Sequence, residues 1–173
     1  LLLLGACNMA ISETPIFAGT DAAVLSPRLG VWVADDPECT FDSTLPEAQW
    51  PQCAMWLVVE GPGQVMLLDG KGQSQQARYV IAPGTPPIVQ ILWRDDAKDD
   101  GKTFYVFFGI EPDRPDGEFL AASSWEVKCG DKDPSGSDIK PFPGISPECR
   151  PLSQDAIRSA AVASRARAEM AMR

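Results

Sequence analysis

The sequence predicts a mainly β protein: a single antiparallel meander, folded as an open sheet or small barrel, with one C-terminal α-helix. Three observations carry that expectation. Short runs rich in Val, Ile, Leu, Phe and Trp recur through the middle of the chain, each bounded by Gly, Pro or Asp, as strands are. Sixteen prolines and 14 glycines supply the turns that such strands need. Beyond Leu152 the alternation gives way to a stretch dominated by alanine and arginine, with helical character. A chain of 173 residues with a 45% hydrophobic share has the material for one compact domain with an ordinary core.

The chain opens with Leu1, Leu2, Leu3, Leu4, Gly5, Ala6 and Cys7. An apolar run suits the bilayer, and two small residues leave the peptide bond before Cys7 open to a signal peptidase. The series Leu4, Gly5, Ala6, Cys7 resembles the lipobox of bacterial lipoproteins. That resemblance implies cleavage before Cys7 and acylation of its thiol and its new amino group. Residues 1–6 are then the remnant of a signal peptide, and the membrane is reached through the lipid on Cys7. Asn8, rather than aspartate, follows the cysteine, which by the same resemblance implies the periplasmic face of the outer membrane. Elsewhere no run approaches the roughly 20 apolar residues of a spanning helix. As a whole the chain resembles small lipoproteins of Gram-negative bacteria.

Residues 7–25 are short of large apolar side chains apart from Ile16 and Phe17, and read as a flexible tether. A β-rich domain spans residues 26–151. It begins with Arg28–Val33, where Leu29, Val31 and Val33 alternate with Gly30 and Trp32. A cysteine-bounded excursion, Asp35–Cys53, follows. The next strands are expected at Ala54–Glu60, Gln64–Asp69, Gln75–Ala82, Ile88–Arg94, Thr103–Ile110 and Glu118–Lys128. Gly61, Pro62 and Gly63 make one tight turn and Asp69–Gly72 another. In Thr103–Ile110, Tyr105 and Phe107 point one way and Phe104 and Phe108 the other, so this strand should be covered on both faces. Residues 152–173 form the helix, with Ser153 as N-cap and Asp155 in the first turn, where it complements the helix dipole. Its apolar stripe is weak. It either lies on the sheet or protrudes and docks a protein partner.

Besides Cys7 there are four cysteines: Cys39, Cys53, Cys129 and Cys149. An even number in an exported chain reads as two disulfides. Three pairings are possible; the preferred one joins Cys39 to Cys53 and Cys129 to Cys149, each closing a short, proline-containing loop. A zinc site would need closer cysteine pairs than these, and no metal or other cofactor is expected.

The chain has no histidine, which removes the usual base or ligand of serine, cysteine and metal-dependent hydrolases. No catalytic role is expected. A formal net charge of −9 also argues against nucleic acid as a partner. Asp131, Asp133, Ser135 and Gly136 have the opening spacing of a calcium loop, but Phe142 stands where the bidentate acid belongs and Pro134 restricts the loop. The acids Asp95, Asp96, Asp99 and Asp100 read as a solvated turn. Trp32, Trp56, Trp93 and Trp125 are the candidate ligand-binding residues, able to line a pocket or to fill a core. The triplet Gly30, Val31, Trp32 is similar to the G-x-W of the first lipocalin strand, where the tryptophan closes one end of a ligand barrel. This resemblance implies an alternative function, a carrier of a small apolar ligand. The first expectation is a structural, assembly or protein-interaction role.

Overall fold

The computed structural model describes residues 8–18, 25–33, 40, 42, 44–46, 49–51, 56–68, 74–94, 103–132 and 138–171. Over these the expected class holds. The strands are β1 (Ile11–Ser12), β2 (Leu25–Pro27), β3 (Gly30–Val33), β4 (Trp56–Gly61), β5 (Gln64–Leu68), β6 (Ser74–Ala82), β7 (Ile88–Arg94), β8 (Thr103–Pro112), β9 (Gly117–Phe119), β10 (Ala122–Glu126), β11 (Gly130–Lys132) and β12 (Ile139–Pro141), followed by the helix α1 (Gln154–Ala171). From β3 to β8 each strand pairs antiparallel with the next, so the meander is continuous. The far side of β8 is shared end to end: β1 pairs with Tyr105 and Val106, and β10 with Phe108–Pro112. The sheet is open, with β3 at one edge and β1 and β10 at the other.

Strand periodicity divides the sheet into two faces. On one, Ala82, Ile88, Phe107 and Val127 pack with Ala10, Phe17 and the helix residues Ala156, Ile157, Ala160 and Ala161. On the other, Ile81 and Ile110 meet Leu25 and Phe119, with Trp32, Tyr79 and Val89 partly buried around them. Strand β8 contributes to both: Phe107 is fully buried toward the helix and Ile110 is buried on the opposite side. This is the two-sided cover that its aromatic pattern predicts.

Two expectations are corrected. Residues 8–18 are not a free tether. Ala10 is 0% and Phe17 3% exposed, and β1 belongs to the main sheet. The cause is Gln90, 2% exposed in the middle of β7, whose Oε1 accepts hydrogen bonds from the amides of Ile16 (2.8 Å) and Phe17 (3.0 Å) while its Nε2 donates to the Phe17 carbonyl (3.0 Å). One buried carboxamide thus satisfies three backbone groups of a segment with few large side chains. The second correction concerns Glu118–Lys128, which is broken into two strands. β9 pairs in parallel with β2 in a separate two-stranded sheet, and only from Ala122 does the chain join β8. A local loop drives the break: Asp113 accepts from the Leu120 amide through its carboxylate (3.1 Å), and its own amide donates to the Ala121 carbonyl (2.9 Å).

The helix lies on the sheet through residue 164 instead of protruding. Ser153 caps it, its Oγ accepting from the Ala156 amide at 3.1 Å. Ala156, Ile157, Ala160, Ala161 and Ser164 form the buried stripe, and the small side chains let the helix axis approach the strands closely. Polar groups then fasten it. Trp125 Nε1 donates to the Ala161 carbonyl (2.8 Å), and Ser164 Oγ accepts from the Lys128 amide (2.9 Å). Arg158 donates to the carbonyls of Pro83 (2.6 Å) and Pro86 (3.3 Å) with its guanidinium over the Phe17 ring.

Candidate functional site

The face of the sheet turned away from the helix carries an apolar cleft. Its larger part, about 480 Å³, is lined by Leu25, Pro27, Leu29, Pro62, Tyr79 and Ile81, with Ser26 and Glu118 as polar groups. A recess of about 150 Å³ adjoins it, reached past Pro27, Tyr79 and Ile81 and walled by Trp32, Leu57, Val65, Ile91, Ile110 and Phe119. The residues of the main sheet share this face because they sit at alternate positions of their strands, with the crosswise register aligning Val59, Val65 and Ala77 in one row, while Leu25, Pro27 and Phe119 of the β2–β9 pair, Leu29 and the turn residue Pro62 close the cleft. Apolar walls with a few polar groups are the usual composition of a small-molecule site, and the larger cavity falls within the usual range of size.

Trp32 is held at the rim. Its Nε1 donates to the Arg28 carbonyl at 2.8 Å, its ring stands edge-on to Phe119 at 5.6 Å, and the Arg28 guanidinium lies 5.7 Å from its centroid. With the indole N–H satisfied locally, Trp32 offers its apolar ring surface to the recess. Tyr79 stands where the two parts of the cleft meet. Burial pushes its phenol above the ordinary tyrosine value, partly offset by a hydrogen bond from the Gly63 backbone, so it stays a neutral donor at physiological pH.

Of the three candidate tryptophans whose side chains are described, Trp32, Trp93 and Trp125, the structure brings Trp32 alone to the cleft. Trp125 is on the opposite face, wedged against Gly109 beneath the helix with the Arg165 guanidinium 5.1 Å from its centroid; it is a seam residue. Trp93 is 37% exposed near the end of β7 and lines neither part of the cleft. The Trp56 side chain lies outside the described residues. The lipocalin expectation that Trp32 closes a barrel is corrected as well, because among the described residues the sheet is open and β3 stands at its edge.

Cys129 and Cys149 are joined in a disulfide, as preferred, 20 residues apart in sequence. Cys39 and Cys53 lie outside the described residues, as do Cys7, the acids at 95, 96, 99 and 100, and Asp133, Ser135 and Gly136 of the calcium-like spacing. Among the described residues no group of three His, Cys, Asp or Glu is placed to hold a metal ion. No described helix is long and apolar enough to cross a membrane.

The disulfide stands beside the start of the described chain. The Cys129 amide donates to the Asn8 carbonyl (2.9 Å), the Ile11 amide to the Cys149 carbonyl (2.9 Å), and the Gly130 amide to Asn8 Oδ1 (3.2 Å). Sequence reasoning read Asn8 only as the residue after the lipobox cysteine, not as a structural contact, and did not single out Gln90. For Gln90 a signal existed: it is the one polar residue in Ile88–Trp93, at the same parity as Ile88. Comparison with protein-family models, curated proteins and solved structures gives no match for this chain.

Proposed function

We propose that this chain is a bacterial lipoprotein, anchored by acyl chains on Cys7 at the periplasmic face of the outer membrane, with a structural, assembly or protein-interaction role and no catalytic activity of its own. The reading of the anchor rests on Leu4, Gly5, Ala6 and Cys7. The observation that carries it further is the firm seating of Asn8 against Cys129 and Gly130, which joins the anchor residue directly to a disulfide-braced corner of the domain. A protein partner in this reading is met by the domain's exposed surface, including the outward side of α1 around Val162. The test is the mass of the N-terminal peptide after expression in a Gram-negative host, together with membrane partition of the Cys7→Ser variant. Acylated Cys7 and release of the variant into the soluble fraction are expected. An unmodified N-terminus would end the reading.

A second reading, a carrier of a small apolar ligand, is favoured by the cleft that Trp32, Tyr79, Ile81 and Phe119 line. Titration with an apolar fluorescent probe tests it. Saturable binding that Trp32→Ala weakens about tenfold is expected, from about 1.4 kcal/mol of lost aromatic contact. Equal binding by both proteins would refute it.

A further inference from the structure

Resting on the anchored reading above, we infer that the domain lies directly against the bilayer, and that the corner built from Asn8, Met9, Lys128, β11 and β12 is its membrane-facing surface. The partner is the layer of phospholipid headgroups. A tethered lipoprotein can stand away from its membrane; this one has no length of chain to do so. Cys7 is covalently next to Asn8, so their Cα atoms are about 3.8 Å apart. From Asn8 onward the backbone is fastened. Asn8 accepts from the Cys129 amide through its carbonyl and from the Gly130 amide through its side chain. Met9 bridges antiparallel to Lys128, the Ala10 amide donates to the Val127 carbonyl (2.9 Å), and the Ile11 amide to the Cys149 carbonyl. Ala10, Val127 and Cys129 are fully buried. Lifting the domain off the membrane by even two residues would break these bonds one after another, against the brace of the disulfide.

The chemistry of the corner suits this placement. β11 and β12 pair as a short ladder in which Asp131 faces Lys140 and Lys132 faces Ile139. All lysines among the described residues, Lys128, Lys132 and Lys140, stand here, in a chain of net charge −9. Lys128 is paired with Glu126. Glu126, Asp131 and Asp138 balance these three lysines, so an acidic protein would meet the phosphate groups with a face of little net charge to be repelled.

The experiment compares lysine acetylation rates, by mass spectrometry, in three forms. The first is the lipidated protein in phosphatidylcholine vesicles, the second the soluble Cys7→Ser variant, and the third a lipidated variant with a ten-residue Gly-Ser linker inserted after Cys7. Such a linker spans about 17 Å on average, enough to lift the corner clear of the headgroups. The expected result is a several-fold slower labelling of Lys132 and Lys140 in the first form, with the rate restored in the other two. Equal rates in all three, with acylated Cys7 present in the first and third, would overturn the inference and leave the anchored reading standing. Cys7 found unmodified in those two would overturn both.

Discussion

Replacing Gln90 by leucine probes what holds residues 8–18 to the sheet. The side chain is 2% exposed and makes hydrogen bonds of 2.8, 3.0 and 3.0 Å to the backbone of Ile16 and Phe17. Leucine removes all three while nearly keeping the volume. Ile16 is half-buried, so water can reach its amide, but the Phe17 amide and carbonyl remain enclosed. A buried polar group left without a partner costs about 1–3 kcal/mol. Two such groups, less about 1 kcal/mol gained by burying leucine, give a net loss of about 1–5 kcal/mol. For a domain of this size that lowers the melting temperature by about 2–20 °C. Urea unfolding with the disulfide intact measures the loss, and hydrogen exchange should show it first at the amides of residues 10–17. The variant Gln90→Glu sharpens the test. At neutral pH its carboxylate would face the Phe17 carbonyl; burial raises its folded pKa above the unfolded value, and only the protonated acid can donate there. Its stability should therefore recover as the pH falls from about 7 to about 5. A Gln90→Leu protein within about 0.5 kcal/mol of the original would refute this account of the N-terminal segment.

Three other outcomes are expected. A Cβ at Gly109 would overlap the Trp125 indole, so Gly109→Ala should cost about 1–3 kcal/mol and shift tryptophan emission to the red as the ring leaves the helix seam; unchanged emission would show that the seam can give way. Reducing the Cys129–Cys149 disulfide should cost about 3 kcal/mol, and exchange should rise selectively at Ala10 and Ile11, whose amide partners are Val127 and the Cys149 carbonyl. A uniform rise across the sheet would instead mean that the bridge serves the whole fold. Glu148 has its carboxyl held below the usual range, mainly by the hydroxyl of Ser146 at 2.8 Å, with help from its own backbone amide and from Arg150. A lowered folded pKa contributes stability above the unfolded pKa and loses it as the pH falls through the folded one. The denaturant midpoint of the original protein should therefore exceed that of Glu148→Gln near pH 7 and converge with it as the pH falls below the lowered range of this carboxyl. A gap independent of pH would point to a cause other than this carboxylate.

Much of the meander was legible because local signals and tertiary demands agree there. Gly61, Pro62 and Gly63 end β4 and start β5 where the turn chemistry places them, and the runs at 88–94 and 103–110 recover β7 and most of β8. Ser153 caps α1 as its position before Asp155 predicts. The N-terminal segment was misjudged for a definite reason. Hydrophobic patterning weighs side chains, and residues 8–18 are held mainly through their backbone by Gln90 and by the residues around the disulfide. The four tryptophans were equal as candidates because an indole suits a pocket, a seam or a rim alike. Only the register of β10 against β8, which sets Trp125 over Gly109, sends that one beneath the helix.

By itself, then, the sequence determined the composition of the elements: seven apolar runs separated by turn residues, one helix, an acidic chain without histidine, and cysteines spaced for local bridges. Those properties are local, set by backbone propensity and side-chain chemistry. Tertiary structure alone decided which face each element presents. It made the sheet open, placed the helix on one side and the apolar cleft on the other, and joined Asn8 to Gly130 across 122 residues of chain. The physical reason is that hydrogen bonds from buried polar groups act between partners far apart in sequence, and no local pattern records them.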